Sequence, residues 1–167
     1  DILKQISKKQ IEEDIFLSSI KFEDLLEEIV NSFKETSSKK IELSSQDDKN
    51  KINIERSPEI IYGLRNFIGN AIKFSKSKVK IYLKSNDKEV TVNVIDDGPG
   101  FPDDIFNLLG EPYIKSKSKE TSSNAGLGLG TFLGKTLLEK QGAKLSFKNI
   151  QSGAEVKIDF VLSKLIS

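Results

Sequence analysis

Apolar residues recur at the spacing of one face of an α-helix in two stretches of the chain. Between Phe22 and Lys34 the apolar positions stand three or four residues apart, at Phe22, Leu25, Leu26, Ile29, Val30 and Phe33. A second helix is predicted from Ser57 to about Ser75, because Ser is a favourable N-cap and the Pro that follows it is a favourable first helical residue. A third is predicted from about Thr131 to Gln141, and a shorter helix is predicted from Pro102 to about Leu109.

Other stretches alternate apolar and polar residues with the period of two that is typical of a half-buried strand. In the clearest of them, Val90–Asp96, every second residue up to position 94 is valine. Further strands are predicted at 41–43, 51–54, 79–84, 144–148 and 154–162. Short connections at 85–88 and 151–153 predict that the four longer strands form two hairpins.

Asp96 ends its strand on the same side as the valines, so its carboxylate is expected to point into the core. A carboxylate in that position needs a hydrogen-bond donor. Gly98 and Gly100 remove side chains beside it, so another group can approach the backbone closely. The pattern fits a carboxylate that binds a ligand, and it fits equally an aspartate that makes a local Asx turn at the end of a strand.

Asn66, Asn70 and Lys73 are spaced by four and three residues, so they form one stripe along the second helix, opposite its apolar face. The simplest interpretation of such a stripe is a solvated polar face. Asparagine is a mediocre helix former, however, and Glu or Lys would serve solubility better. A stripe that faces a ligand is therefore the second interpretation.

Glycines alternate at residues 126, 128 and 130, immediately before the third predicted helix. Backbone N–H groups left bare at the positive end of a helix suit a phosphate. Residues 116–124 ahead of them are nearly all polar, which predicts a mobile loop, and long loops inside compact domains are often lids over sites. A flexible hinge, close packing against a neighbour and a plain linker are the structural alternatives.

Composition excludes several classes of function. The 167 residues suit one domain, and the formal net charge of +1 favours neither nucleic acid nor an acidic membrane as a partner. The chain has no Cys, which excludes disulfides, and no His, which excludes histidine bases, histidine metal ligands and a phosphoacceptor histidine within this sequence. The lack of Met predicts a segment of a longer protein, in which residues 1–19 are a linker or tail.

Three of these features occur in an order that resembles a known family. Residues Asn66–Phe74, Asn-Phe-Ile-Gly-Asn-Ala-Ile-Lys-Phe, are similar to the N box of the ATP-binding catalytic domain of bacterial sensor histidine kinases. Asp96–Gly100 and Gly126–Gly130 resemble the two glycine boxes of that family, and residues 154–162 resemble its closing strand. The family lies in the superfamily that includes gyrase, Hsp90 and MutL. Residues Gly126–Ala143 look most like its RegB/PrrB redox-sensing branch.

The resemblance covers about residues 22–162 and implies an α/β two-layer sandwich, the Bergerat or GHKL fold. In it, a mixed sheet of about five strands is backed by three helices, and a mobile lid covers ATP. Residues 20–167 would be the ATP-binding catalytic domain, and 1–19 a linker or the tail of an upstream dimerisation helix. The family also implies ATP and Mg²⁺ as cofactors and a cytoplasmic location, either free or as the cytoplasmic part of a membrane-anchored sensor.

The resemblance implies roles for individual residues. Asp96 would accept a hydrogen bond from the adenine amino group, and Phe74 would lie near the adenine. Asn70 would ligate the Mg²⁺ that bridges the phosphates, and Asn66 and Lys73 would contact phosphate or metal from the same helix face. The two glycine boxes would also contact the nucleotide, through Gly98, Gly100, Gly126, Leu127, Gly128, Leu129 and Gly130.

Two residues between the glycine boxes complete the implied site. Lys115 stands where many relatives have a basic residue that reaches the γ-phosphate. Tyr113 is the main aromatic residue of a thin F box, in which Gly110 stands where a Phe is common. Catalysis by Asn66, Lys73 and Lys115 would consist mainly of positioning and charge neutralisation, as expected for phosphoryl transfer.

The implied activity is transfer of the γ-phosphoryl group of ATP to a histidine on a separate dimerisation segment, in a homodimer, and onward to a response regulator. The segment alone is expected to be monomeric and not to bind nucleic acid. ATP hydrolysis of the GHKL type, serine phosphorylation by an anti-sigma kinase and a domain that only binds nucleotide or partners are the alternatives. Hydrolysing relatives have a glutamate four residues before the metal-binding Asn; here that residue is Asn66, whose amide cannot act as a general base, and this favours the kinase.

Overall fold

The computed structural model describes residues 19–46, 52–109 and 122–165, and of residues 107–109 and 122–127 it describes only the backbone. The helices are α1 (Phe22–Lys34), α2 (Pro58–Phe74), α3 (Asp103–Leu109), α4 (Ser122–Lys140) and α5 (Leu162–Leu165). The strands are β1 (Ser19–Lys21), β2 (Lys40–Ser45), β3 (Asn53–Glu55), β4 (Lys78–Ser85), β5 (Glu89–Asp96), β6 (Lys144–Ile150) and β7 (Gly153–Val161). No helix in these ranges combines the length and the apolar character needed to cross a membrane.

Five strands form one sheet in the order β2-β4-β5-β7-β6. β2 pairs with β4 in parallel, and the other neighbours are antiparallel. The two predicted hairpins are confirmed as β4–β5 and β6–β7. The predicted strands at 41–43 and 51–54 belong to different sheets, because β3 pairs with β1. The sequence pattern does not predict β1, which begins at Ser19, the last residue of the predicted linker.

Helices α1, α2 and α4 pack against one face of this sheet, and their apolar side chains share one core with it. Along β5 the residues on the helix side are buried and those between them are half-buried, as the alternation predicts. The rings of Phe22 on α1 and Phe160 on β7 meet edge to face, with their centroids 5.5 Å apart. The predicted two-layer α/β fold, with five strands backed by three helices, is confirmed.

The first two long helices lie where the sequence predicts them. α1 spans Phe22–Lys34, and its apolar positions are buried except for Phe33, which is partly buried. The hydroxyl of Ser57 accepts a hydrogen bond from the N–H of Ile60, and Pro58 is the first residue of α2. These two residues therefore start the helix as predicted.

The third long helix begins earlier than predicted, at Ser122 instead of about Thr131. The expectation that the glycines at 126, 128 and 130 stand ahead of a helix is wrong, because all three lie within α4. A Cβ atom added to Gly130 would lie 3.3 Å from the side chain of Asn66 on α2, and one added to Gly134 would lie 3.1 Å from it. Packing at this distance outweighs the low helix propensity of glycine, so the close-packing alternative is confirmed at Gly130.

Lys39 and Asp97 hold the connection between α2 and β4 from its two sides. The ammonium group of Lys39 donates hydrogen bonds to the carbonyl oxygens of Ile72 and Lys73, near the end of α2, and to that of Ser75. The carboxylate of Asp97 accepts hydrogen bonds from the backbone N–H groups of residues 76–78 and from the hydroxyl of Ser77. Desolvation acts to raise the pKa of Asp97, but these hydrogen bonds together outweigh it and lower the pKa from 3.8 to about 2.

Replacing Asp97 with Asn should destabilise the protein by about 2 kcal/mol at neutral pH, because the amide lacks the charge and accepts fewer hydrogen bonds. The pKa of Asp97 is lower in the folded than in the unfolded protein, so its stabilisation is fully present above about pH 4 and is lost as the pH falls towards about 2. Urea denaturation should show that the free energies of unfolding of the wild-type protein and of the Asp97→Asn variant converge over that interval. Asp87→Asn, in the exposed turn between β4 and β5, is the control, and a pH-independent difference would contradict this role for Asp97.

Candidate functional site

A cavity opens between α2, the end of β5, the loop after β5 and α4. Among the described residues, the polar side chains that line it are Asn70, Asp96 and Thr131. The other lining residues are apolar and include Phe67, Phe74, Val94, Phe101 and Val156. A mostly apolar cavity with a few polar groups is the usual form of a small-molecule site.

Asp96 lines this cavity at the end of β5 and is only 9% exposed. Its Oδ1 atom accepts a hydrogen bond of 2.8 Å from the N–H of Gly98. The predicted inward orientation is confirmed. The hydrogen bond to Gly98 is the local Asx turn of the alternative interpretation, and it coexists with exposure of the carboxylate to the cavity.

Burial raises the pKa of Asp96 above its ordinary value of 3.8. The N–H groups of Gly98 and Ala154 and the charge of Lys39 offset part of this rise, whereas the neighbouring charge of Asp97 adds to it. A further donor from a ligand would stabilise the charged form of this carboxylate. Asp96 is thus a buried acceptor whose environment favours binding of a hydrogen-bond donor.

The loop after β5 is shaped by its glycines and by a contact from β6. A Cβ atom on Gly98 would lie 2.3 Å from the carbonyl oxygen of Phe74, so the group that approaches this backbone closely is the end of α2. Gly100 has a φ of +87°, a conformation that favours glycine. The N–H of Phe101 donates to Oδ1 of Asn149 at 2.6 Å, and Nδ2 of Asn149 donates to the Phe101 carbonyl at 2.9 Å. Asn149 therefore fixes the loop that forms one wall of the cavity.

Asn149 is not among the predicted site residues, although the sequence carries a signal for it. It keeps the parity of Leu145 and Phe147, which face the core from β6, just as Asp96 keeps the parity of the valines in β5. A polar residue at the end of a strand on its apolar side is therefore a signal that applies to both residues.

The predicted stripe of α2 is not a simple solvated face. Asn66 and Asn70 are half-buried, and Nδ2 of Asn70 donates a hydrogen bond of 3.2 Å to Oδ1 of Asn66. Asn70 lines the cavity, whereas Asn66 packs against the glycines of α4. Lys73 is exposed, and its ammonium group lies 5.4 Å from the centroid of the Phe74 ring, which also lines the cavity.

For the other predicted site residues, the structure describes no contact with the cavity or lacks the side chain. Gly128 is buried within α4, and Leu129 is 65% exposed. Gly126 and Leu127 belong to α4, of which only the backbone is described at these positions. Tyr113 and Lys115 lie outside the described residues. The nucleotide contacts expected of these residues stay predictions.

The described residues contain no cluster of three or more acidic, histidine or cysteine side chains that could hold a metal ion. A cation can also be held by amide oxygens and by oxygen atoms of a bound ligand. Because Asn70 uses its Nδ2 atom to bond Asn66, its amide oxygen is suited to such an ion. Amide and phosphate oxygens are ligands that suit Mg²⁺.

Comparison with known sequences gives a family match over most of the fold. The model of the histidine kinase-, DNA gyrase B-, and HSP90-like ATPase family matches residues 56–164. The sensor histidine kinase RegB of Cereibacter sphaeroides is 42% identical over 101 residues, which cover 58% of this chain and 22% of RegB. The sensor histidine kinase CssS of Bacillus subtilis is 26% identical over 157 residues, or 93% of this chain and 32% of CssS. The chain thus spans a fifth to a third of the length of these relatives.

Solved structures share the fold. The catalytic domain of histidine kinase ThkA, in a nucleotide-free form, matches with a TM-score of 0.68 at 20% identity, over 86% of this chain and 95% of that domain. Full-length ShkA in complex with AMPPNP matches with a TM-score of 0.66 at 20% identity, over 84% of this chain and 30% of ShkA. Because the family model covers more than half of the sequence, including α2, β5 and α4, the chain belongs to the histidine kinase-, DNA gyrase B- and HSP90-like ATPase family.

Proposed function

We propose that this chain is the ATP-binding catalytic domain of a sensor histidine kinase. It binds Mg-ATP in the cavity lined by Asp96 and donates the γ-phosphoryl group to a histidine on a separate dimerisation segment. The observation that carries this proposal is the buried carboxylate of Asp96, which lines a mostly apolar cavity. The relatives named sensor histidine kinases favour phosphoryl transfer as the activity.

The cavity suits an adenine base. Phe74, Val94 and Val156 supply apolar surface for the faces of a flat ring. The carboxylate of Asp96 can accept a hydrogen bond from the exocyclic amino group. Since burial already raises the pKa of this carboxylate, a donor from the ligand satisfies a group that the fold leaves poorly solvated.

The phosphates would extend along α2 towards Lys73. The amide oxygen of Asn70 would ligate Mg²⁺, and the hydrogen bond to Asn66 would fix the orientation of that amide. When bound, Mg²⁺ neutralises charge on the phosphates. The ammonium group of Lys73, beside the Phe74 ring, adds positive charge on the same side. Lys115 and the residues at 126–130 are the predicted further contacts.

The histidine that accepts the phosphoryl group must belong to another segment, because this sequence contains no His. We infer that the segment is a dimerisation domain of the same protein, that the full protein acts as a homodimer and that a response regulator receives the phosphoryl group afterwards. Placement in the cytoplasm, free or as part of a membrane-anchored sensor, belongs to the same proposal.

Direct hydrolysis of ATP is the second candidate. A hydrolase of this superfamily needs a general base close to the metal ligand, and the corresponding side chain is the amide of Asn66. This amide accepts a hydrogen bond from Asn70 and packs against α4, so it offers no basic group to a water molecule. The geometry of α2 therefore favours transfer over hydrolysis.

Replacing Asp96 with Asn should weaken ATP binding by at least roughly 100-fold, because the amide removes a charged acceptor from a buried site. The melting temperature should not fall, since the variant removes a buried charge and keeps an oxygen for the N–H of Gly98. Isothermal titration calorimetry and thermal melts measure the two effects. Asp159→Asn, on the outer face of the sheet, is the matched control and should bind ATP normally. Unchanged affinity in the Asp96 variant would exclude the adenine assignment.

Replacing Asn70 with Ala should remove most of the contribution of Mg²⁺ to ATP binding, which we expect to be roughly tenfold. The measurement compares ATP affinity in Mg²⁺ with that in EDTA for the wild-type protein and the variant. Asn93→Ala removes the same side chain from the outer face of the sheet, where Asn93 bonds Glu155, and serves as the control. An Mg²⁺ effect of the same size in the Asn70 variant would rule out Asn70 as a metal ligand.

Transfer itself is tested by incubating the protein, together with the segment that precedes it, with γ-labelled ATP and Mg²⁺. We expect acid-labile label on the protein that disappears when the histidine of the preceding segment is replaced. Acid-stable label would indicate a serine kinase instead. Release of phosphate without labelled protein would support the hydrolase and contradict the inference from Asn66.

A further inference from the structure

Thr131 on α4 is the third polar residue that lines the cavity, and it is 1% exposed. Among the described residues, its hydroxyl oxygen is buried and has no hydrogen-bond partner. Thr136 on the same helix has the ordinary arrangement, in which its hydroxyl donates a 2.9 Å hydrogen bond to the carbonyl of Phe132. A buried polar group without a partner destabilises the folded protein. Thr131 therefore carries a hydroxyl that the fold itself does not use.

The backbone at Thr131 is held in place by its neighbours. Gly130 and Gly134 pack closely against Asn66 of α2, so this part of α4 cannot shift without separating the two helices. The hydroxyl and methyl groups of a threonine share one Cβ atom, so rotation about χ1 exchanges them while the backbone stays still. The hydroxyl of Thr131 can thus turn towards a ligand in the cavity without any change of fold.

The chemistry of this hydroxyl complements that of Asp96. A carboxylate only accepts hydrogen bonds, whereas a hydroxyl can also donate one. Adenine presents an amino group that donates and ring nitrogens that only accept. Asn70, the other polar residue of the lining, donates to Asn66. That bond uses one of the two N–H groups of Asn70, whereas among the described side chains that line the cavity the hydroxyl of Thr131 has no protein partner at all.

We propose that Thr131 is a specificity-determining residue of the nucleotide site, whose hydroxyl donates a hydrogen bond to a ring nitrogen of adenine. The inference rests on the proposed function, because it places adenine next to Asp96. It adds a second hydrogen bond that distinguishes adenine from other bases. Asp96 recognises the amino group, and Thr131 recognises an unprotonated ring nitrogen.

The test compares Thr131→Val, which keeps the shape and removes the hydroxyl, with Thr131→Ser, which keeps the hydroxyl. Thr131→Val should bind ATP roughly three- to ten-fold more weakly, and its melting temperature without nucleotide should be equal or higher. Thr131→Ser should keep nearly normal affinity. The matched control is Ser85→Ala, which removes a second buried hydroxyl that has no partner among the described residues. Ser85 lies at one end of β4, and Val79, which pairs with Asp96, lies near the other end. It should leave ATP affinity unchanged.

ATP analogues that lack one ring nitrogen, at N1, N3 or N7, separate a base contact from a structural effect. Wild-type protein should bind one analogue more weakly than ATP, and Thr131→Val should bind that analogue no more weakly than it binds ATP. Normal affinity in Thr131→Val, or the same weakening with ATP and with all three analogues, would overturn the inference. If the wild-type protein does not bind ATP at all, the proposed function fails first, which is a distinguishable result.

Discussion

The alternation of side chains along β5 is the constraint on which the site depends. A strand that buries three valines on one side also buries the next residue of the same parity, and here that residue is Asp96. Its neighbour Asp97 faces the opposite way and binds the start of β4. Two adjacent aspartates therefore have opposite pKa shifts: that of Asp96 is raised by burial, and that of Asp97 is lowered by hydrogen bonds. The carboxylate of Asp96 lines the cavity, and that of Asp97 stabilises the fold.

The end of α2 is tied to the same constraint. Gly98 must lack a side chain because the carbonyl of Phe74 occupies the space beside it, and Lys39 holds carbonyl groups near the end of α2. These contacts fix the end of α2 relative to β5, and so they fix the distance between the amide of Asn70 and the carboxylate of Asp96. The residues that maintain the site are thus mostly residues that contact no ligand.

Much of this could be predicted because it depends on local sequence. The spacing of apolar residues from Phe22 onward predicts α1, and Ser57-Pro58 predicts the start of α2. The alternation of apolar and polar residues predicts β5 and the orientation of Asp96. The start of α4 could not be predicted, because glycines disfavour a helix locally and the packing of Gly130 and Gly134 against Asn66 comes from a distant part of the sequence. Likewise, the contact of Asn149 with Phe101 joins residues 48 positions apart, and no local pattern specifies the partner.

The glycines of α4 have one further consequence, for how the helix unfolds. Residues 126, 128, 130 and 134 are all glycine, and each costs about 1 kcal/mol of helical stability relative to alanine. The remainder of the helix, with Leu138 fully buried in the core, has no such cost. Local unfolding of α4 is therefore expected to be graded along its length: it should begin at the end that carries the glycines, while Leu138 keeps the other end in the core.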